Sequence, residues 1–166
     1  IRSAAFSFCA SHFAAALADH SRQIMSRALA ERPRIELKPD SSYVTDTDKG
    51  IERALRAQIE AAFPAHGILG EEYGEHNAGA EYVWVLDPID GTANYTRSIA
   101  HYCVSIGYVE HGVPTVGALH DPSHERLYYA ERGGGAWMME GAGAARRLAV
   151  SPVASLDAAT VECGWS

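Results

Sequence analysis

The residues with the clearest capacity for chemistry are four acidic side chains at predicted ends of helices or strands: Asp48, Glu71, Asp87 and Asp90. Hard divalent cations take oxygen ligands, and Mg²⁺ prefers one or two carboxylates together with water and substrate phosphate. Carboxylates at the ends of neighbouring elements can meet at one place. The sequence therefore predicts a divalent-metal site built from these residues.

One segment offers several kinds of oxygen ligand: Asp87-Pro88-Ile89-Asp90-Gly91-Thr92. Asp87 closes an apolar run, and Pro88 has no N–H group with which to continue a central strand. We therefore predict that the strand stops at Asp87 and Pro88 and that the chain turns there. The turn leaves the carbonyl of Ile89 available as a ligand and puts Asp90 where a helix cap would lie.

The end of this segment predicts an anion-binding turn. The N–H groups of Gly91 and Thr92 would point outward at a helix N-terminus, where phosphate binds favourably. Taken singly, the acids have simpler interpretations, because Asp90 and Asp48 are good cap residues and Thr45-x-x-Asp48 has the spacing of a capping box. Their combination along one chain favours the metal site.

Hydrophobic periodicity predicts the elements that position these residues. Apolar steps of three and four residues predict one helix over about 3–30 and a second that starts at Thr45. Short apolar runs predict strands at 35–37, 68–69, 82–86, 102–109, 113–119 and 127–129. Loops or turns are predicted at 73–81, 111–112, 122–125, 133–135 and 141.

These elements predict an α+β fold in which a helix pair packs on an antiparallel β-sheet. The 166 residues suit one domain. Residues 160–166 look like the start of a further strand whose edge nothing covers, and such an edge is a liability in a finished protein. We expect another segment or another chain to pair with it.

Composition narrows the class of protein. Asp plus Glu number 21 against 14 Lys plus Arg, a net charge of −7, so the basic excess typical of nucleic-acid binders is missing. The sequence has no apolar run of the roughly 20 residues that a membrane helix needs. Its three cysteines are widely spaced and lack zinc-binding spacing, which predicts free thiols in a reducing cytoplasm.

Other residues have simpler interpretations. The segment from His120 to His124 resembles a metal-binding run, but its flanks predict a hairpin turn instead. His66 lies beside a glycine and is predicted to be at the surface. Cys103 lies in an apolar run and is predicted to be a core residue.

The acidic motifs together resemble those of a known family. Residues 87–95 resemble the signature of the inositol monophosphatase family of Mg²⁺-dependent, lithium-sensitive phosphatases, and 70–72 and 44–48 resemble its two companion motifs in the same order. The resemblance continues through 104–107 and 131–136, so it spans nearly the whole chain. It identifies the chain as similar to the N-terminal portion of the family.

The resemblance implies a role for each site residue. Glu71, Asp87 and the Ile89 carbonyl would hold a first metal ion, and Asp87 would bridge to a second ion that Asp90 also binds. Asp48 would hold, with Glu71, a weaker third ion through water molecules. The implied cofactor is therefore two or three Mg²⁺ ions, with Mn²⁺ as a substitute.

The resemblance also implies how catalysis would work. Thr92 and Asp48 would orient and deprotonate the attacking water, which with Glu71 makes the catalytic set. The amides of Gly91 and Thr92 would bind the substrate phosphate. Lys38 matches a lysine that lies near the site.

For the whole chain, the resemblance implies a metal-binding N-terminal domain over 1–166. It would be the first part of an αβαβα layered sandwich, in an enzyme that is usually a homodimer. The family carries a second signature, a Trp-Asp pair that completes the second metal site, in its C-terminal domain. That motif does not occur in this sequence, so we expect the C-terminal domain to be missing from this chain.

Three functions follow as hypotheses. The first is hydrolysis of a small phosphate monoester, most naturally myo-inositol 1-phosphate, because Asn94-Tyr95 is typical of the inositol branch. The second is histidinol-phosphate hydrolysis, because residues 82–87 after 70–74 also resemble that branch. The third is a truncated, non-catalytic metal-binding or assembly module, which would bind metal without turnover.

Overall fold

A computed structural model describes residues 2–31, 34–39 and 43–161. The helices are α1 (Arg2–Glu31), α2 (Asp46–Ala62), α3 (Thr92–Thr96) and a short 3-10 helix (Leu156–Ala158). The strands up to the site are β1 (Ile35–Leu37), β2 (Tyr43–Thr45), β3 (Gly67–Gly70), β4 (Gly74–His76) and β5 (Tyr82–Asp90). The later strands are β6 (Cys103–Glu110), β7 (Val113–Asp121), β8 (Arg126–Glu131), β9 (Gly135–Glu140) and β10 (Arg146–Leu148).

Eight strands form one sheet in the order β10-β9-β8-β7-β6-β5-β3-β4, and β1 pairs with β2 separately. Strands β5 to β10 form an antiparallel meander. The α+β prediction is confirmed, but the sheet is mixed, because β3 pairs in parallel with β5. The cause is β4, which runs antiparallel to β3 along the edge of the sheet. The chain then reverses again and forms β5 on the other side of β3, so β5 runs in the same direction as β3.

Helices α1 and α2 pack on one face of the sheet. Alternate residues of β5 and β6 are buried against them, as expected for strands with one covered face. The largest fully buried side chains include Leu17 and Met25 of α1, Ile51 and Leu55 of α2, and Trp84 of β5. Within the part of the chain that the structure describes, no helix is both long and apolar enough to cross a membrane.

Strand β5 is longer than the sequence predicts. Strand β5 continues to Asp90, so the prediction that it stops at Asp87 and Pro88 is wrong. The ladder pairs Asp87 with Ser105 and Asp90 with Cys103, with a register shift between the two pairs. Pro88 lies inside this irregularity, where its missing N–H group breaks no regular pair.

Four strands escaped prediction: β2, β4, β9 and β10. All residues of β4 are exposed, and β9 and β10 follow glycines that indicate turns. The predicted turn at 122–125 is confirmed. The further strand predicted over 160–166 lies mostly outside the described residues.

Candidate active site

The parallel pairing of β3 with β5 brings Glu71 beside Asp87. The register aligns Gly70 of β3 with Leu86 of β5, and the next residue, Glu71, donates its N–H to the Leu86 carbonyl at 3.2 Å. The carboxyl ends of parallel neighbours share one edge of a sheet. Two of the predicted ligands are therefore neighbours although 16 positions separate them in the sequence.

Asp87 lies in an unfavourable electrostatic setting. Burial raises the pKa of its carboxyl, and the nearby carboxylates of Glu71 and Asp90 raise it further, to about 7. Its Oδ1 atom is buried and has no hydrogen-bond partner among the described residues. A cation at this position would relieve both the repulsion and the unpaired oxygen.

The N-cap of α3 is Gly91 and not Asp90 as predicted. Asp90 is the exposed last residue of β5, and Gly91 is the N-cap of α3 with a left-handed φ of 91°. A Cβ atom on Gly91 would lie 2.9 Å from the carbonyl oxygen of His101. The prediction that Asp90 is a helix cap is wrong, because Gly91 occupies the cap position with a left-handed φ that glycine adopts readily.

Asp48 has two functions in one carboxylate. Its Oδ2 atom accepts the N–H of Thr45 at 2.8 Å and also the Thr45 hydroxyl, which confirms the predicted capping box of α2. Its Oδ1 atom accepts the hydroxyl of Thr92 at 3.2 Å. The side chain is fully buried, and the loss of solvation raises its pKa despite these hydrogen bonds.

Thr92 therefore joins the two halves of the site. Its Oγ1 atom lies 2.8 Å from the Ile89 carbonyl oxygen and 3.2 Å from Asp48 Oδ1. A hydroxyl has one proton and can donate to only one of these oxygens at a time. The structure thus brings together Thr92, Asp48 and the predicted carbonyl ligand Ile89.

Lys38 directly follows β1 and contacts the acidic residues after β3. Its Nζ atom lies 3.0 Å from Glu71 Oε1 and 2.6 Å from Glu72 Oε1. Burial would lower the pKa of Lys38, but the hydrogen bonds to Glu72 and Glu71 outweigh it and raise the pKa. The ammonium group balances negative charge next to a predicted metal ligand, in agreement with the predicted position of Lys38.

The chain is similar to the proteins of one known family. The family model described as "Inositol monophosphatase family" matches residues 9–166. This chain belongs to the inositol monophosphatase family. The predicted resemblance to the N-terminal portion of that family is confirmed.

Relatives share both sequence and fold. A histidinol-phosphatase of Mycobacterium tuberculosis is 37% identical over 158 residues, which are 92% of this chain and 61% of that protein. The crystal structure of the suppressor protein suhB from Bartonella henselae superposes with a TM-score of 0.80 at 27% identity, covering 87% of this chain and 55% of that one. The structure of an IMPase/NADP phosphatase complexed with Mg²⁺ and phosphate gives a TM-score of 0.65 at 31% identity, covering 72% and 46%.

Coverage is unequal in every comparison. The chain spans about half to three fifths of the length of the relatives it matches. The inositol monophosphatase fold is thus shown for the matched region, and the α+β layers described above are the matched layers.

The family's metal can be tested against the residues present. Among the described residues, no three His, Cys, Asp or Glu side chains already converge on one point that would hold a metal ion. The donor chemistry nevertheless fits a hard cation, because Glu71, Asp87 and Asp90 are neighbouring carboxylates and Asp87 has an unpaired buried oxygen.

Two buried polar residues were missed or misjudged from the sequence. Glu52 is fully buried in α2, and its spacing of four from Asp48, along the stripe of Leu55 and Ile59, is a signal that could have found it. The prediction that His66 lies at the surface is wrong. His66 is buried and accepts the indole N–H of Trp84 at 3.0 Å, and burial lowers its pKa.

Cys103 lies closer to the site than a core residue would. It is only half-buried, and its Sγ lies 3.9 Å from Asp90 Oδ2. Burial raises the pKa of its thiol, and the charges of Asp90 and Asp87 contribute, to about 12. The thiol is therefore a neutral neighbour of the acidic residues.

The raised pKa of Asp87 predicts how the metal-free protein responds to pH. Its carboxyl keeps a proton up to about pH 7 when folded, but only up to about pH 4 when unfolded. The folded state therefore binds more protons between these values, and its stability falls as pH rises. We expect the free energy of unfolding of the metal-free wild type to decrease steadily across this pH range.

Urea unfolding with a chelator at pH 4.5 and 7.5 measures this effect. Asp87→Asn removes the titrating group, so the variant should lose less stability between the two pH values than the wild type. Saturating Mg²⁺ at pH 7.5 should restore stability to the wild type alone. An identical pH dependence in both proteins would contradict the raised pKa of Asp87.

Proposed function

We propose that this protein forms the metal-binding, water-activating part of a phosphatase that hydrolyses a small phosphate monoester. The observation that carries this proposal is the hydrogen bond from Thr92 to Asp48, placed beside the acidic residues around Asp87. The Thr92 hydroxyl, polarised by Asp48, lies beside carboxylates that would bind a cation. This combination can activate water for the hydrolysis of an anionic ester. Membership of the family supports the same reaction class.

Glu71, Asp87 and the Ile89 carbonyl would hold a first metal ion, and Asp87 with Asp90 a second. Asp48 and Glu71 would hold a third more weakly, through water. The proposed ions are Mg²⁺, with Mn²⁺ as a substitute, and the Mg²⁺ and phosphate in the related IMPase/NADP phosphatase support this choice. Such ions neutralise phosphate, lower the pKa of a bound water and stabilise the leaving oxygen.

Thr92 and Asp48 would accept the proton of the attacking water. When the Thr92 hydroxyl donates to Asp48 rather than to Ile89, an Oγ1 lone pair is left to accept a proton from the attacking water. Asp48 then receives the Thr92 proton in turn. Because burial raises the pKa of Asp48, its carboxylate is a stronger base than an exposed aspartate would be.

Phosphate would be held by main-chain amides at the start of α3. Gly91 adopts its left-handed conformation there, and Thr92 begins the helix, where no carbonyl of the same helix is available to its N–H. Helix α3 has only five residues, so individual amides rather than a long helix dipole would bind the phosphate.

The structure changes the argument about substrate. Asn94 donates its side-chain amide to the His101 carbonyl at 2.9 Å, and the Tyr95 hydroxyl donates to Thr47 at 3.2 Å inside the core. Asn94 thus stabilises the segment up to His101, and Tyr95 links α3 to α2, so both side chains have structural partners within this chain. Histidinol phosphate therefore stands beside myo-inositol 1-phosphate as a second candidate, and the histidinol-phosphatase matched over 92% of this chain favours it.

Phosphate release from both substrates, with Mg²⁺ and with a chelator, tests the proposal on this chain. We expect Mg²⁺-dependent release, inhibited by millimolar lithium, and the faster substrate identifies the branch. Mn²⁺ binding by calorimetry with no release from either ester would instead support the non-catalytic module. Gel filtration of the same sample tests the proposed homodimer, and cytoplasmic location stays a prediction.

A further inference from the structure

We propose that Glu52 is a positioning residue that fixes the turn from Gly70 to Tyr73 and thereby presents Glu71 to the metal site. The inference rests on the proposed function, because it assigns Glu71 as a metal ligand. It concerns a side chain that lies on a different element from every proposed ligand except Asp48.

The contacts of Glu52 are directed at the main chain of this turn. Its Oε2 atom accepts the N–H of Glu72 at 2.7 Å, and its Oε1 atom accepts the N–H of Tyr73 at 3.1 Å. Its side chain has no exposed surface. These two amides directly follow Glu71, so they fix the direction in which its side chain leaves the backbone.

A buried carboxylate is costly unless it is paired and fully hydrogen-bonded. Arg56 supplies the pairing, since its Nε atom donates to Glu52 Oε1 at 2.8 Å across one helical turn. The Arg56 guanidinium also donates to the carbonyl of Gly74, beyond the far end of the turn. Glu52 and Arg56 thus clamp the segment between β3 and β4.

Gly70 provides independent support. A Cβ atom on Gly70 would overlap the carboxylate of Glu52 and lie 2.8 Å from the Arg56 guanidinium. The φ angle of Gly70 is not in the left-handed region, unlike those of six other glycines. Space for the Glu52 carboxylate therefore explains the glycine directly before Glu71, and backbone conformation does not.

The position of Glu52 on α2 links two parts of the site. Glu52 follows Asp48 by four residues, so the two carboxylates lie on the same face of one helix. Asp48 binds Thr92 directly, and Glu52 acts on Glu71 through the main chain. One rigid helix therefore sets the separation between the proposed base and a proposed metal ligand.

Glu52→Gln tests the inference with little change of shape. The glutamine oxygen can keep the contacts to Tyr73 and Arg56, but its NH₂ group then faces the N–H of Glu72, and two donors oppose each other. We expect Mn²⁺ affinity, measured by calorimetry on folded protein, to fall about 10- to 100-fold, as for other residues that orient metal ligands. Glu60→Gln, an exposed change on the same helix, is the matched control and should leave affinity unchanged.

A second readout needs no metal. Amide hydrogen exchange of the metal-free protein should show the Glu72 and Tyr73 N–H groups protected in the wild type and in Glu60→Gln, and exposed in Glu52→Gln. Gly70→Ala disturbs the same carboxylate of Glu52, because the added methyl group would overlap it. Because both changes act on one contact, the double variant should bind Mn²⁺ no more weakly than the worse single variant.

The outcomes separate this inference from the proposed function. If Glu52→Gln and Glu60→Gln bind Mn²⁺ equally, or if the two wild-type amides exchange as fast as exposed ones, the positioning role is wrong whatever the variants' stability. If Glu71→Gln abolishes Mn²⁺ binding and Glu52→Gln weakens it, but no ester is hydrolysed, the inference stands and the proposed phosphatase activity fails.

Discussion

Asp90→Asn should reduce Mg²⁺-dependent phosphate release by at least about 100-fold, since changes that merely orient a ligand already cost 10- to 100-fold. Asp90 is exposed at the end of β5 and does not cap α3, so its carboxylate is available to a cation. The amide that replaces it has nearly the same shape but no charge. The measurement is initial rate against Mg²⁺ concentration, with Mn²⁺ affinity measured separately by calorimetry.

Asp157→Asn is the matched control for this experiment. It removes the same charge from an exposed residue of the short 3-10 helix, far along the chain from the proposed ligands. The control should keep wild-type rate and affinity. Full activity in Asp90→Asn would show that Asp90 is no metal ligand and would leave Glu71, Asp87 and Asp48 as the proposed carboxylate ligands.

The ligand set could be proposed from sequence because its members lie in short motifs. Asp87 and Asp90 are three residues apart in one motif. The spacing of Thr45 and Asp48 predicts a capping box, which the structure contains. Local patterns of this kind depend on a few neighbouring residues. They need no knowledge of which distant elements come together.

The relation of strands β3 and β5 could not be read in the same way. Their parallel pairing depends on β4, an exposed edge strand with no apolar pattern. The contact of Glu71 with the end of β5 follows from that pairing and from nothing in its own motif. Similarly, Pro88 lies in a strand because a register shift absorbs it, and a rule about regular ladders cannot foresee the shift.

Buried polar residues were the hardest to predict. Glu52 is buried only because the turn after Gly70 and the side chain of Arg56 supply its partners. His66 is buried among aromatic rings, and Trp84 donates a hydrogen bond to it. Charge or polarity alone predicts that a residue is exposed. A buried polar residue can therefore be predicted only when its hydrogen-bond partners on other elements are known.

Thr92→Val should lower kcat about 100- to 10,000-fold, the range expected when a group that moves a proton is removed. Valine keeps the branched shape but has no hydroxyl to join Asp48 with the attacking water. Mn²⁺ affinity should stay close to the wild-type value, because the Ile89 carbonyl and the carboxylates remain. The measurements are kcat as a function of pH and Mn²⁺ affinity by calorimetry.

Two further substitutions separate catalysis from packing. Thr96→Val lies one turn later in α3, where the lost hydroxyl donates to the Ala93 carbonyl, and it should keep wild-type kcat. Thr92→Ser restores the hydroxyl and should recover most of the rate lost in Thr92→Val. If the serine variant were as slow as the valine variant, the threonine methyl group would matter more than its proton. If instead all three variants kept wild-type kcat, Asp48 would have to activate water without Thr92, and the hydrogen bond between them would serve only to anchor α3 to α2.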